Sequence, residues 1–153
     1  MKKNKTLSEL EKKILISLTQ NGRKSFRQIA KEVGTSSTAI YNNVKKLEKS
    51  DIIKGYIPII DLEYLGFNII SIIRLRIYHK DEYTILDKLS KYPEVSSIYS
   101  ITGEWDQIII CYFKTLEDLD YFLKKKLGLP EIQRIVTHIV LKVFKDDKRT
   151  LVS

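Results

Sequence analysis

Gly34 separates two amphipathic stretches that are each too short to be stable alone, and this spacing restricts the first third of the chain more than any other feature. Before it, Ser25 and Gln28 have the form of a capping box, opening a short helix that buries Phe26, Ile29, Ala30 and Val33. After it, Ser36 is placed to cap a third helix whose apolar side is Ile40, Val44 and Leu47. Upstream, Leu10, Ile14, Leu15 and Leu18 share one helical face, with Glu11, Lys12 and Lys13 outside, and Asn21-Gly22 supplies a stop. Two short helices joined by a tight glycine turn, packed on a preceding helix, have the order of a helix-turn-helix.

The exterior of the third helix suits a polyanion. Facing away from its apolar side are Ser37, Thr38, Tyr41, Asn42, Lys45, Lys46 and Lys49. An Asn amide can bond the adenine edge in the major groove, whereas Lys and Ser/Thr mostly engage phosphates. A solvated helix face would look similar, so charge placement matters. Residues 1–60 hold 13 Lys/Arg against 5 Asp/Glu, while residues 61–153 hold 14 of each sign. The whole net charge of +8 therefore sits in the first two-fifths of the chain, which implies one unit that meets nucleic acid and one that does something else. The sequence Ile52-Ile53-Lys54-Gly55-Tyr56-Ile57 predicts a small wing hairpin with Lys54 near a phosphate. The candidate DNA-contacting set is Ser36, Ser37, Thr38, Tyr41, Asn42, Asn43, Lys45, Lys46 and Lys54.

Beyond Pro58, residues 58–67 predict a short connecting strand and turn ending at Gly66. The period then changes repeatedly. Ile73, Leu75 and Ile77 alternate with Arg74 and Arg76, the mark of a half-buried strand. Ile85, Leu86 and Leu89 make a helical face that Pro93 ends. Residues 95–101 and 107–113 predict two strands around Gly103; Leu116, Leu119, Phe122, Leu123 and Leu127 predict a helix; residues 135–144 predict a last strand. The order β-α-β-β-α-β is the ferredoxin-like split βαβ, with both helices on one face of an antiparallel sheet. Its other, apolar face predicts a homodimer, which would also set two helix-turn-helix units on a two-fold-symmetric site. The fold class expected is α+β. Residues 1–57 form a winged helix-turn-helix, 58–67 a linker strand, and 68–153 a ferredoxin-like domain for ligand binding and oligomerisation.

In their order and spacing these residues resemble the Lrp/AsnC family of feast/famine transcription regulators. The resemblance rests on Glu11-Lys12-Lys13-Ile14-Leu15, Asn21-Gly22-Arg23-Lys24-Ser25, Ile29-Ala30-Lys31-Glu32-Val33-Gly34, Leu47-Glu48, Ile52-Ile53 and Gly55-Tyr56. It continues through Leu65-Gly66, Tyr92-Pro93-Glu94-Val95, Thr102-Gly103-Glu104-Trp105-Asp106 and Leu129-Pro130. It implies a regulator of transcription whose C-terminal (RAM) domain binds an amino acid or related metabolite, and dimers that assemble further, often to octamers. It also places Thr102, Gly103, Glu104, Trp105, Asp106 and Thr137 at the effector cleft. Asp106 could then take an α-ammonium and the backbone around Gly103 a carboxylate. The alternative for Gly103 and Asp106 is a hairpin turn and its cap, and Trp105 is either packing or a wall of the cleft. Where the family usually carries an arginine in the recognition helix this chain has Asn43, and where it usually has a glycine before the wing this chain has Asp51.

Other classes are excluded or disfavoured. No apolar run reaches membrane-spanning length, and Met1-Lys2-Lys3-Asn4-Lys5 is no signal core, so a cytoplasmic protein is expected. One cysteine, Cys111, excludes an intramolecular disulfide and a cysteine-cluster metal site. The six glycines are scattered and form no phosphate loop, and His79 and His138 lack ligand spacing. Neither an enzyme nor a cofactor is expected; the nearer alternative is an architectural DNA binder that ignores ligands.

Overall fold

The computed structural model describes residues 6–147 and divides into two compact units, one running to Ile59 and one covering Ile60–Phe144. Met1-Lys2-Lys3-Asn4-Lys5 and residues 148–153 lie outside the described residues.

The first unit is three helices: α1 (Glu9–Gln20), α2 (Phe26–Val33) and α3 (Ser37–Lys49). Each begins on a serine whose hydroxyl accepts a backbone N–H of the first turn: Ser8 from Glu11, Ser25 from Gln28 and Ser36 from Ala39. The first two are reciprocal capping boxes. Gly34 closes α2 in the left-handed region at φ 76°, which only a residue without Cβ adopts freely. Ile14, Ile29, Ile40, Val44 and Leu47 are fully buried and form the core, with Leu10, Phe26, Val33 and Ile53 packed around it.

The expected wing hairpin is absent. Residues 52–60 form no strand, because the N–H groups of Ile52 and Ile53 both donate to the Leu47 carbonyl and Pro58 has no N–H to give. The chain wraps the end of α3 instead, with Asp51 in the left-handed region at φ 57°. Asp51→Gly is expected to raise the urea midpoint of this unit, worth about 0.5–1 kcal/mol, by removing Cβ strain at that φ. An unchanged or lowered midpoint would show that other contacts of Asp51 outweigh the strain.

The second unit is a four-stranded antiparallel sheet in the order β2-β3-β1-β4: β1 (Ile69–Ile77), β2 (Val95–Ser100), β3 (Gln107–Phe113) and β4 (Ile132–Ile139). Helix α4 (Glu82–Leu89) joins β1 to β2; α5 (Leu116–Tyr121) and a π-helical turn (Phe122–Lys126) join β3 to β4. This is the expected βαββαβ topology. One sheet face is buried with the helices: Ile73, Leu75, Ile77, Ile109, Cys111 and Phe113 pack with Ile85, Leu89, Leu119, Phe122 and Leu127. Gln107, fully buried among them, accepts from the Ser100 hydroxyl at 3.0 Å and donates to Glu82 at 2.6 Å, so no polar atom of its amide is wasted. Burial, then the nearby Glu94, pushes the Cys111 thiol up to about 12.

Three expectations for this unit change. Residues 58–67 contain no strand; residues 62–67 are a turn, with Gly66 at φ 86° and Asp61 accepting the Tyr64 N–H. The last strand ends at Ile139 and not at 144, because β1 begins at Ile69 and offers no backbone beyond the bond from Val140 N–H to the Ile70 carbonyl. The final helix is interrupted: α5 gives way to the π turn, closed by the Leu127 N–H on the Phe122 carbonyl. There a Cβ on Gly128 would stand 2.3 Å from the Lys124 carbonyl oxygen, so only glycine fits.

Candidate nucleic-acid interface and ligand site

Helix α3 presents the expected polar face. Ser36, Ser37, Thr38, Tyr41, Asn42, Lys45 and Lys46 are exposed, as is Lys54 beyond the helix. Their availability differs. Lys46 pairs at 2.8 Å with Glu11, whose side chain is buried on α1. That ion pair, aided by the Ser8 N–H, holds the Glu11 carboxyl down at about 2. Lys46 therefore binds α3 to α1 before it binds anything else. Asn43 is half-buried and donates its amide back to the Ala39 carbonyl at 2.8 Å, so it stays on its own helix. Lys45 pairs with Glu48 at 3.0 Å and lies 6.0 Å above the Tyr41 ring, while Tyr41 packs edge-on against Phe26. Exposed pairs of this kind are weak, so Lys45 can be released to a phosphate. Ser37, Thr38 and Asn42 face solvent at the N-terminal half of the helix, the half that reads base edges in a helix-turn-helix.

A network not visible from spacing alone steadies this unit. Ser17 donates to Glu32 at 2.7 Å, and Lys24 reaches both, at 2.8 Å to Glu32 and 3.1 Å to Ser17. A serine on the inner face of α1 is the only sign of it in the sequence.

In the second unit the turn between β2 and β3 gathers most of the expected effector residues. Gly103 turns at φ 110°, in the left-handed region. Asp106 is committed to the backbone: its carboxylate accepts the Ile77 N–H at 2.9 Å, its N–H donates to Leu75 and its carbonyl accepts from Ile101. Trp105 is only 5% exposed, and the guanidinium carbons of Arg74 and Arg134 each lie 4.9 Å from its ring centroid. Arg134 also donates to Glu104 at 3.0 Å. Sequence reasoning missed both arginines, although the Arg74/Arg76 alternation in β1 was a signal. Thr137 is not in this group. It pairs with Ile73 and shares the helix-facing side of the sheet, whereas Arg74 and Arg134 point to the opposite face. Among the described residues no three His, Cys, Asp or Glu side chains could hold a metal ion, and no helix is long and apolar enough to cross a membrane.

Comparison with known proteins covers both units. Residues 7–54 match the winged helix-turn-helix DNA-binding family, and residues 71–150 the Lrp/AsnC ligand binding domain. An uncharacterised HTH-type transcriptional regulator of Pyrococcus abyssi is 37% identical over 94% of this chain and 97% of its own. The HTH-type transcriptional regulator Ptr1 of Methanocaldococcus jannaschii is 35% identical over 94% of this chain and 97% of its own. Among solved structures, a transcriptional regulator of Neisseria meningitidis in complex with L-Met superposes with a TM-score of 0.89 at 25% identity, covering 94% of this chain and 96% of that one. AsnC of E. coli gives 0.87 at 28% identity, covering 93% and 97%. With both halves matched and relatives aligned along nearly its whole length, the chain belongs to the Lrp/AsnC family: it is a DNA-binding transcription regulator with a ligand-binding domain, and not an enzyme.

Proposed function

We propose that this regulator reads DNA through the exposed side of α3 and that a small metabolite, an amino acid or a close relative, adjusts its binding or assembly through the second unit. The observation that carries the DNA reading is the division of α3: Ile40, Val44 and Leu47 are fully buried while Ser37, Thr38 and Asn42 face outward. In this reading residues 1–57 contact DNA, 58–67 connect, and 68–153 sense and oligomerise. The sheet face carrying Ile72, Ile108, Ile110 and Val136 joins two copies, and such dimers can build octamers. The L-Met complex of the Neisseria relative supports an amino-acid-like effector. In this reading the effector residues are Thr102, Gly103, Glu104, Trp105 and Asp106, and Thr137, on the helix-facing side of the sheet, is not one of them.

The test begins with DNA selected from a random library, followed by binding of the full chain with and without a pool of the twenty amino acids, with mass measured by light scattering. A shift in affinity or assembly supports the regulator; identical binding and mass in both conditions would make it an architectural binder. On the selected site, Asn42→Ala is expected to cost about 1–3 kcal/mol and to relax preference at one position. Lys45→Ala should weaken all sequences alike and lower the salt slope by about one. An Asn42→Ala variant that keeps the wild-type preference removes that residue from base readout.

A further inference from the structure

We propose that the outer face of α5 and of the π turn after it joins one dimer to the next, by packing antiparallel on the same face of a second copy. The proposal rests on the reading of the sheet face as the contact within a dimer, and names a separate surface for the step beyond it. Leu116, Glu117, Asp120, Tyr121, Lys124 and Lys125 line one open groove along this face. They form two neighbouring rows at four-residue spacing, Leu116-Asp120-Lys124 and Glu117-Tyr121-Lys125. The core side of the segment is taken by Leu119, Phe122 and Leu127. Leu116 stands in the apolar row of the sequence, yet it turns outward, and it and Tyr121 are each 58% exposed. Two large side chains in water on a rim of charge are the make-up of a contact surface.

The order of the charges says what covers it. Glu117, Asp118 and Asp120 come first along the segment, and Lys124, Lys125 and Lys126 last. Most are committed within the chain. The Asp118 carboxylate accepts the Thr115 N–H at 3.1 Å, Asp120 pairs with Lys124 at 2.7 Å, and Lys126 lies 4.6 Å from the Tyr92 ring. Glu117 and Lys125 remain, both exposed and without an ion pair among the described residues. They stand two turns apart, beyond the one-turn spacing at which side chains of one helix pair. A second copy set antiparallel about a two-fold axis at Tyr121 reverses the order. Glu117, four residues before Tyr121, then meets Lys125 of the second copy, four residues after it. Symmetry makes that pair twice, brings the two Tyr121 rings together on the axis and lays each Leu116 against the basic end opposite. The face is therefore self-complementary. One pair of short helices buries less than the roughly 1,200 Å² of a stand-alone interface, so it does not hold two free chains together. A dimer carries the face twice, and that doubling makes the contact effective between dimers.

Sedimentation velocity and light scattering of the full chain, over a wide concentration range, test this. The wild type is expected to grow from dimers into assemblies of whole dimers as concentration rises. Glu117→Lys and Lys125→Glu each set two like-charged pairs across the axis. Each should raise the dissociation constant between dimers at least about tenfold and leave the dimer itself intact. Both positions are exposed, so unchanged helical circular dichroism separates a lost contact from a lost fold. Mixing the two variants, or combining both substitutions in one chain, places opposite charges across the axis again and should restore the wild-type mass. A merely structural defect gives no such rescue. Single variants that keep the larger assemblies would overturn the contact, as would a loss of assembly that neither the mixture nor the double variant repairs. A wild type that never exceeds a dimer would overturn it too, with the sheet contact left standing. A wild type that stays a monomer would overturn both.

Discussion

Truncating Phe122 to alanine is expected to remove about 3–5 kcal/mol from the stability of the C-terminal unit. Phe122 is 1% exposed and opens the π turn. Its ring meets Phe113 edge-on at 5.3 Å and Tyr92 at 5.9 Å, so its loss empties the junction of β3, the π turn and the segment before β2. Tyr92 is covered in turn by Lys126, at 4.6 Å from its ring, a residue of the same turn. The Phe122 side chain therefore anchors both ends of that turn, and the site has little freedom to collapse around a void. Urea unfolding followed by Trp105 fluorescence measures this unit, since the first unit has no tryptophan. A loss below about 1 kcal/mol would mean that the neighbouring leucines refill the space.

Glu11→Gln is the second large effect, and its size depends on pH. Glutamine keeps the capping box, so the substitution isolates the charge. In the wild type the Lys46 ion pair, then the Ser8 N–H, lower the Glu11 carboxyl from 4.5 to about 2. A carboxyl depressed by folding stabilises above its unfolded value, and that stability is lost as pH falls from about 4.5 through about 2. Near neutrality the variant should be less stable by about 2–3 kcal/mol, discounted for the half-exposed Lys46 end of the pair. Near pH 2 the two proteins should converge. Helical circular dichroism across the acid range checks this: a constant gap at all pH values would assign the effect to packing and not to charge.

The helices of the first unit were legible because their signals are local. Ser25 with Gln28, Gly34 and Ser36 each act within one turn of chain, and each stands where its chemistry predicts. The wing was misread for the opposite reason. Ile52 and Ile53 have strand propensity, but which carbonyl takes their N–H groups is settled by the end of α3, five and six residues upstream. The alternation of Ile139, Leu141 and Val143 likewise reads as continuing strand, yet a strand ends where its partner's backbone ends. For the candidate site, α3 could be read as a face. Nothing in its period shows that Lys46 is engaged by Glu11, 35 positions away, or that Asn43 turns back to Ala39. In the second unit the turn at Gly103 was legible, whereas the arginine pairing beside it depends on the β1–β4 register and on a shift between Arg76 and Ile77. Register between distant strands is tertiary information.

The single cysteine has a practical corollary. With its thiol at about 12 and its side chain fully buried on β3, Cys111 offers only about one thiolate in 10⁴–10⁵ molecules at neutral pH and no path to a bulky electrophile. The natural chain is in effect blank toward maleimide chemistry. A cysteine placed at exposed Lys49, at the end of α3, would accept a fluorophore or spin label alone. With Trp105 as a built-in optical probe in the other unit, one labelled chain would report on both halves of the molecule during a single titration.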